Sequence, residues 1–181
     1  MDKMKDKQLI MKWLGEHNLS LSSPQVDTCL NFVEMIKDAS ETMNLVSKND
    51  LPNIIDRHLL DSLHALTAYE IPHKAKVADL GSGAGLPGIP IAIARPDLQM
   101  YLIESRRMKC LFLRDVIAKL NLANAIVIQD RWENQSLLYD VILARAVFKE
   151  SELSTKVMPR ISPHGVILYF AKYNDVKVLK K

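Results

Sequence analysis

Residues 77–97 read VADLGSGAGLPGIPIAIARPD, and five of the eight positions from Gly81 to Gly88 are glycine or proline. An apolar run that passes through such a loop into a helix-like stretch is a strand–turn–helix unit. Glycine there supplies positive φ and lets the backbone approach a ligand closely. Such a unit needs parallel neighbours, and the rest of the chain offers them. Strands are expected at 76–80, 99–103, 125–129, 139–144 and 165–171, with helices at 88–94, 106–120 and 149–158. Alternation at this spacing implies a parallel sheet with helices on both faces, a doubly wound α/β domain. Its ligand site lies at the C-terminal ends of the strands. The basic tail NDVKVLKK is expected either as a frayed end or as a short edge strand.

The first 70 residues read as helical. Leu51, Ile54, Ile55, Leu59, Leu63 and Leu66 hold helical spacing, with Pro52 in a first turn where its missing N–H costs nothing. A second helix starts at Ser22 or Ser23, before Pro24, and places Val26, Leu30, Val33 and either Ile36 or Lys37 on one face. The segment EIPHKAK is the only plausible joint. The expected organisation is a helical extension at 1–70 and a Rossmann-like domain at 71–181, together one structural unit. A chain of 181 residues suits one sizeable domain. Cys29 and Cys110 lie far apart and outside any CxxC or Cys/His pattern, so neither a disulfide framework nor a metal is expected. That usage suits a reducing cytoplasm. The N-terminus lacks the apolar stretch of a secretion signal, and no run approaches the ~20 apolar residues that span a bilayer, so no membrane partner is expected. A net charge of +3 permits a polyanionic partner without demanding one.

Two ligands compete for the loop. Gly83-x-Gly85-x-x-Gly88 fits the dinucleotide fingerprint, with Glu104 about 20 residues on as the ribose-binding acid. Gly81-Ser-Gly83-Ala-Gly85 preceded by Asp79 fits the S-adenosylmethionine loop of Rossmann-like methyltransferases instead. Spacing does not separate them, but chemistry favours the second. A carboxylate just ahead of the loop would repel a pyrophosphate, whereas a sulfonium and an α-amino group tolerate it. Asp79 is the discriminating residue, and Glu104 serves the ribose of either ligand.

Four stretches together, DLGSGAGLPGIPIAIARPD, ESRRMKCLFLRDV, RHLLDS and LARAVF, resemble the ribosomal RNA small subunit methyltransferase G family from about residue 44 to residue 172. The resemblance implies a class I S-adenosylmethionine-dependent methyltransferase fold with an N-terminal helical extension. It implies methylation of N7 of a guanine in the 530 loop of 16S rRNA, so the partner would be 16S rRNA, the small ribosomal subunit or an assembly intermediate. Carried over by position, Gly81 and Leu86 would line the cofactor pocket. Trp132 and Glu133 would cup the adenine. Arg145 would lie beside the cofactor and Lys172 on the substrate side. The chain departs from the family in reading ARAVF for the usual SRAF, Asn134 for a second acid, and Tyr173 where a glycine commonly follows the lysine. Class I methyltransferases also add an antiparallel hairpin after the fifth strand, where a minimal sheet edge or a short variant is expected here.

In RHLLDS, helical spacing would put His58, Asp61 and Ser62 on one face and Arg57 one turn before Asp61. Residues alone suggest an Arg57–Asp61 pair and a packing histidine. With the resemblance, this face is expected to pack over the cofactor loop and order it or the incoming base. Guanine N7 offers an in-plane lone pair, so no general base is needed and catalysis rests on positioning. Cys110, inside an expected helix, reads as core rather than nucleophile. Lys48, Arg57, Arg106, Arg107, Lys109, Arg131, Lys149 and Lys172 lie near the strand C-termini, where they could meet phosphates. The alternatives are a small-molecule methyltransferase and an NAD-dependent oxidoreductase.

Overall fold

A computed structural model of the chain describes residues 3–146 and 149–181. Val147 and Phe148 of the ARAVF motif lie outside the described residues. Six strands form one sheet: β1 (Lys76–Leu80), β2 (Gln99–Glu104), β3 (Ala125–Gln129), β4 (Tyr139–Arg145), β5 (Ile161–Lys172) and β6 (Asp175–Lys180), in the order β3-β2-β1-β4-β5-β6. The first five are parallel, and the chain reverses direction across the sheet between β1 and β4. Strands sealed on both faces read as unbroken apolar runs, and Val141 to Ala144 of β4 are all fully buried.

The basic tail is a true edge strand, antiparallel to β5. It reverses through Tyr173 and Asn174, the latter at φ +55°, a conformation asparagine tolerates. Val176 and Val178 pack inward while Lys177 and Lys180 face solvent. Strand β5 starts four residues earlier than 165 because Ile161 pairs with Tyr139. Pairing then resumes only at Val141 and Val166, which leaves a bulge around Pro163.

Helices cover the two faces unequally. One face carries α1 (Lys3–Glu16), α2 (Ser23–Ser40), α3 (Asp61–Ala68), α4 (Gly88–Ala94) and α5 (Arg107–Lys119), which share one apolar core with the sheet. Helix α2 starts at a reciprocal cap: Ser22 Oγ accepts from the Gln25 amide, and Gln25 Oε1 accepts from the Ser22 amide. The free end of Gln25 donates to the Ile93 and Ala94 carbonyls, tying α2 to α4. The opposite face is covered by α6 (Glu150–Lys156) and by turns at Trp132–Asn134 and Met158–Arg160. No α-helix bridges β3 to β4 there; the turn at Trp132 does so alone. Ahead of α3, a short 3-10 turn (Leu51–Asn53) leads into a π-helical turn (Ile55–Leu60), so RHLLDS begins on a widened turn rather than on a regular helix. Such turns occur mostly as single insertions, often at functional sites.

Candidate functional site

The glycine loop is fastened before any ligand meets it. Gly81, Gly83 and Gly85 sit at φ +67°, +57° and +88°, which side chains rarely adopt. The Gly81 and Ser82 amides both donate to the Ile103 carbonyl, at 2.8 and 3.1 Å. Glu104 braces the crest: Oε2 accepts from the Gly83 amide at 3.0 Å and Oε1 from the Arg106 amide at 2.8 Å. Asp79 lies underneath, 1 % exposed, with Oδ2 accepting from the Gly88 amide at 3.1 Å. It supports the first turn of α4 and does not line either cavity described below. Gly85 faces inward, since a Cβ there would stand 2.8 Å from Ile89 and 3.3 Å from Phe32. Leu86 likewise packs against the core.

Burial pushes the Asp79 carboxyl up to about 7, against the opposing pull of the Gly88 amide and of Arg145. Between about pH 4, where an unfolded aspartate ionises, and pH 7, the folded chain holds a proton that the unfolded chain has released. Stability from this group is therefore complete at low pH and is lost as pH rises through that window, by at most about 1.4 kcal/mol per pH unit. Asp79→Asn should remove the slope: urea unfolding from pH 4 to 8 should show the variant gaining on the wild type up to pH 7 and no further. A gap constant with pH would refute this.

Two cavities open at the C-terminal ends of the strands, one on each side of β1. The first, about 270 Å³, is lined by Gly81, Ile103, Glu104, Ser105, Asp130, Arg131, Trp132 and Glu133. It gathers three carboxylates against one guanidinium and adds an indole. A space of that sign disfavours a phosphate and suits a cation with a flat aromatic part. Glu104 spends one lone pair of each oxygen on the loop amides, which leaves acceptor capacity for hydroxyls.

The second cavity, about 310 Å³, is lined by Asp50, Arg57, His58, Asp61, Arg145, Lys172 and the backbone and rings of the β4 and β5 ends. Two arginines and a lysine here face two carboxylates. The pairing differs from the expected Arg57–Asp61 bridge. Arg57, exposed, pairs with Asp50 at 2.6 Å, while buried Asp61 pairs with Arg145 at 3.0 Å. A carboxylate 2 % exposed needs a cation that reaches it from inside, and Arg145 on the sheet does so where Arg57 on the surface does not. Arg145 also donates to the Arg57 carbonyl at 3.1 Å and to Ser62 Oγ at 3.3 Å. Its other neighbour, His58 Nδ1, lies 3.1 Å away. A guanidinium only donates, so Nδ1 must accept and the histidine proton sits on Nε2. Burial, then the charge of Arg145, holds His58 below the usual imidazole range. Asp61 Oδ1 accepts from the Asn174 amide at 2.7 Å, so the β5–β6 hairpin tip is latched to the same cluster.

Of the expected site residues, Gly81, Glu104, Trp132 and Glu133 meet in the first cavity, and His58, Asp61, Arg145 and Lys172 meet in the second. Gly83 is partly exposed at the loop crest, and Ser62 is buried behind Arg145. Cys110 is buried in α5, with its thiol against the Glu104 carbonyl, and burial raises both it and Cys29 above the ordinary thiol range. Except for half-buried Lys109, the eight candidate phosphate-binding cations are exposed. Asp50, Phe170 and Arg160 were not singled out by sequence reading. Phe170 carries the Arg145 guanidinium 5.8 Å above its ring, and its apolar place in β5 was the only available sign.

The chain matches the family model described as rRNA small subunit methyltransferase G over residues 25–177. It is 33% identical to a ribosomal RNA small subunit methyltransferase G from Syntrophobacter fumaroxidans, over 91% of this chain and 77% of that protein. A Lachnoclostridium phytofermentans protein of the same description is 29% identical over 98% of this chain and 75% of its own length. Among solved structures, a SAM dependent methyltransferase from Aquifex aeolicus superposes with a TM-score of 0.54 at 19% identity, covering 76% of this chain and 71% of that one.

Proposed function

Because the chain belongs to the rRNA small subunit methyltransferase G family, we propose that it uses S-adenosylmethionine to methylate N7 of a guanine in the 530 loop of 16S rRNA. The observation that supports this best is the opposite charge of two cavities at the C-terminal ends of one set of strands. The carboxylate-rich cavity suits a cationic cofactor; the arginine- and lysine-lined one suits a polyanion. Gly81, Gly83, Gly85 and Leu86 form the cofactor loop, Glu104 takes the ribose hydroxyls, and Trp132 and Glu133 hold the adenine. Asp79 holds the cofactor loop from below through the Gly88 amide, and Arg145 stands on the substrate side.

Bound S-adenosylmethionine supplies a methyl group on a sulfonium. The residues of the second cavity have a simpler task, since N7 already carries the attacking lone pair: to hold the base in line and exclude water. Arg145, fixed by Asp61 and Ser62, presents positive charge where guanine O6 would accept it. Neutral His58 supports Arg145, and Lys172 and Arg57 meet backbone phosphates. The 16S rRNA is met in the cytoplasm, free or within an assembling small subunit. Residues 1–70 form a helical extension, and 71–181 the methyltransferase domain. The Gln25 bonds to α4 and the shared core support their working as one unit.

S-adenosylhomocysteine at 100 times its Kd should add about 2.7 kcal/mol of stability, read as a rise in melting temperature, and NAD should add none. Incubation of small subunits from cells lacking this gene with protein and labelled S-adenosylmethionine should then place label on one guanine as 7-methylguanine. Stabilisation by NAD instead would overturn the cofactor, and an unlabelled 530 loop would overturn the substrate.

A further inference from the structure

Trp132 is unusually placed for a residue that must present a flat, fixed face. It opens the short turn Trp132–Asn134, on the only link between β3 and β4, with no crossover α-helix to hold it. Asp130 holds the turn locally by accepting from the Arg131 amide and from Asn134 and Gln135, and a further support comes from a distant part of the chain. The Arg160 guanidinium lies over the indole, 5.2 Å from the ring centroid. The same group donates from Nη2 to the Glu133 carbonyl and from Nη1 to the carbonyl of Lys156, the last residue of α6, at 3.2 Å. One planar fork thus stacks on the ring, fixes the next peptide and anchors both to α6.

We propose that Arg160 is a positioning residue for cofactor binding, holding Trp132 and Glu133 in the geometry that receives the adenine. The proposal rests on the reading of the first cavity as the adenosine site. Arg160 does not line that cavity; it acts through Trp132 and Glu133, which do. Arginine is suited to this because its rigid fork supplies two donors and a stacking plane at once, whereas a lysine supplies one point charge. The arrangement also ties the cofactor cavity to α6, the helix that follows β4 and Arg145. Without the clamp, the bonds to Asp130 would keep the turn but not fix the indole and the Glu133 peptide, and the adenine wall would form only part of the time. Affinity falls by the fraction of molecules that are competent.

The test uses the full chain with Arg160→Gln and Arg160→Lys. Calorimetric Kd values for S-adenosylhomocysteine and for adenosine should both rise about ten-fold in Arg160→Gln, as the cation–π contact and the two charged hydrogen bonds are lost or weakened. Equal factors for the two ligands would place the loss in the adenosine part they share. In methyl transfer the change should appear in the KM for the cofactor rather than in kcat. Arg160→Lys should recover part of the loss, and it replaces the glutamine variant if that one melts below assay temperature. In a Trp13→Phe background, ligand-induced quenching of Trp132 emission should shrink in step with affinity. Wild-type affinity and quenching in both Arg160 variants would overturn the proposal and leave the cofactor assignment standing. A wild-type chain that binds neither ligand would overturn both.

Discussion

Arg145→Met is expected to remove about 3–5 kcal/mol of folding stability, the usual consequence of leaving one member of a buried ion pair alone. Its side chain is 18% exposed and that of its partner Asp61 only 3%. Methionine fills much of the space but returns nothing to the carboxylate. The loss would spread, because the guanidinium also serves Ser62 and the Arg57 carbonyl, and Asp61 holds the hairpin tip through Asn174. Methyl transfer to rRNA should disappear with it, since the cationic cavity is built on this group. Urea unfolding measures the first effect. The double variant Arg145→Met, Asp61→Asn should recover most of the stability, because no charge is then left buried, but none of the activity. A double variant as unstable as the single one would mean that packing, not the orphaned charge, sets the cost.

Gly88→Ala should be the most damaging single-carbon addition in the glycine loop. A Cβ there would stand 2.4 Å from Leu102 Cδ2 and 2.7 Å from Asp79 Oδ2. Strand β2 and the buried acid would both have to give way where α4 begins. Overpacking of this kind costs about 1–3 kcal/mol. Displacement of Asp79 also weakens its bond to the Gly88 amide, so the loop should lose its response to S-adenosylhomocysteine. Gly15, in α1, provides the contrast, because a Cβ added there would meet nothing within 4 Å. Gly15 is one residue from the end of α1, so alanine there should stabilise by at most about 0.5 kcal/mol, the low end of the helix-interior range. A Gly88→Ala protein that melts like wild type would show that strand β2 and helix α4 have room to part at no cost.

Much of the fold was readable because its strands and helices obey single rules. Strands β1 and β3 and helix α4 have the bounds that apolar runs and the loop predict, and α5 differs by one residue at each end. The readings that fell short involve choices made across long distances. The tail could not be assigned as a strand from alternating valine and lysine alone; what decides it is the free edge of β5. The π-helical turn has no composition of its own, so RHLLDS looked like a regular helix. Arg57 and Asp61 have the spacing of a surface pair, and only the burial of Asp61 redirects it to Arg145. Asp79 looked like a ligand-facing acid because sequence does not reveal on which side of the loop a carboxylate lies. Arg160 carried no signal at all, since its partner is 28 residues back and joined only by the fold.

The two bonds that Glu104 accepts from the Gly83 and Arg106 amides have a kinetic meaning. A loop already held by its own carboxylate has no ordering step left for the ligand to drive. The entropy of shaping it was settled when the chain folded, so more of the contact energy appears as affinity. Cofactor association should then run as a single fast phase, with little rearrangement between the empty and filled loop. On the function proposed for the other cavity, the slow, selective event falls there, where a folded RNA would have to yield one base.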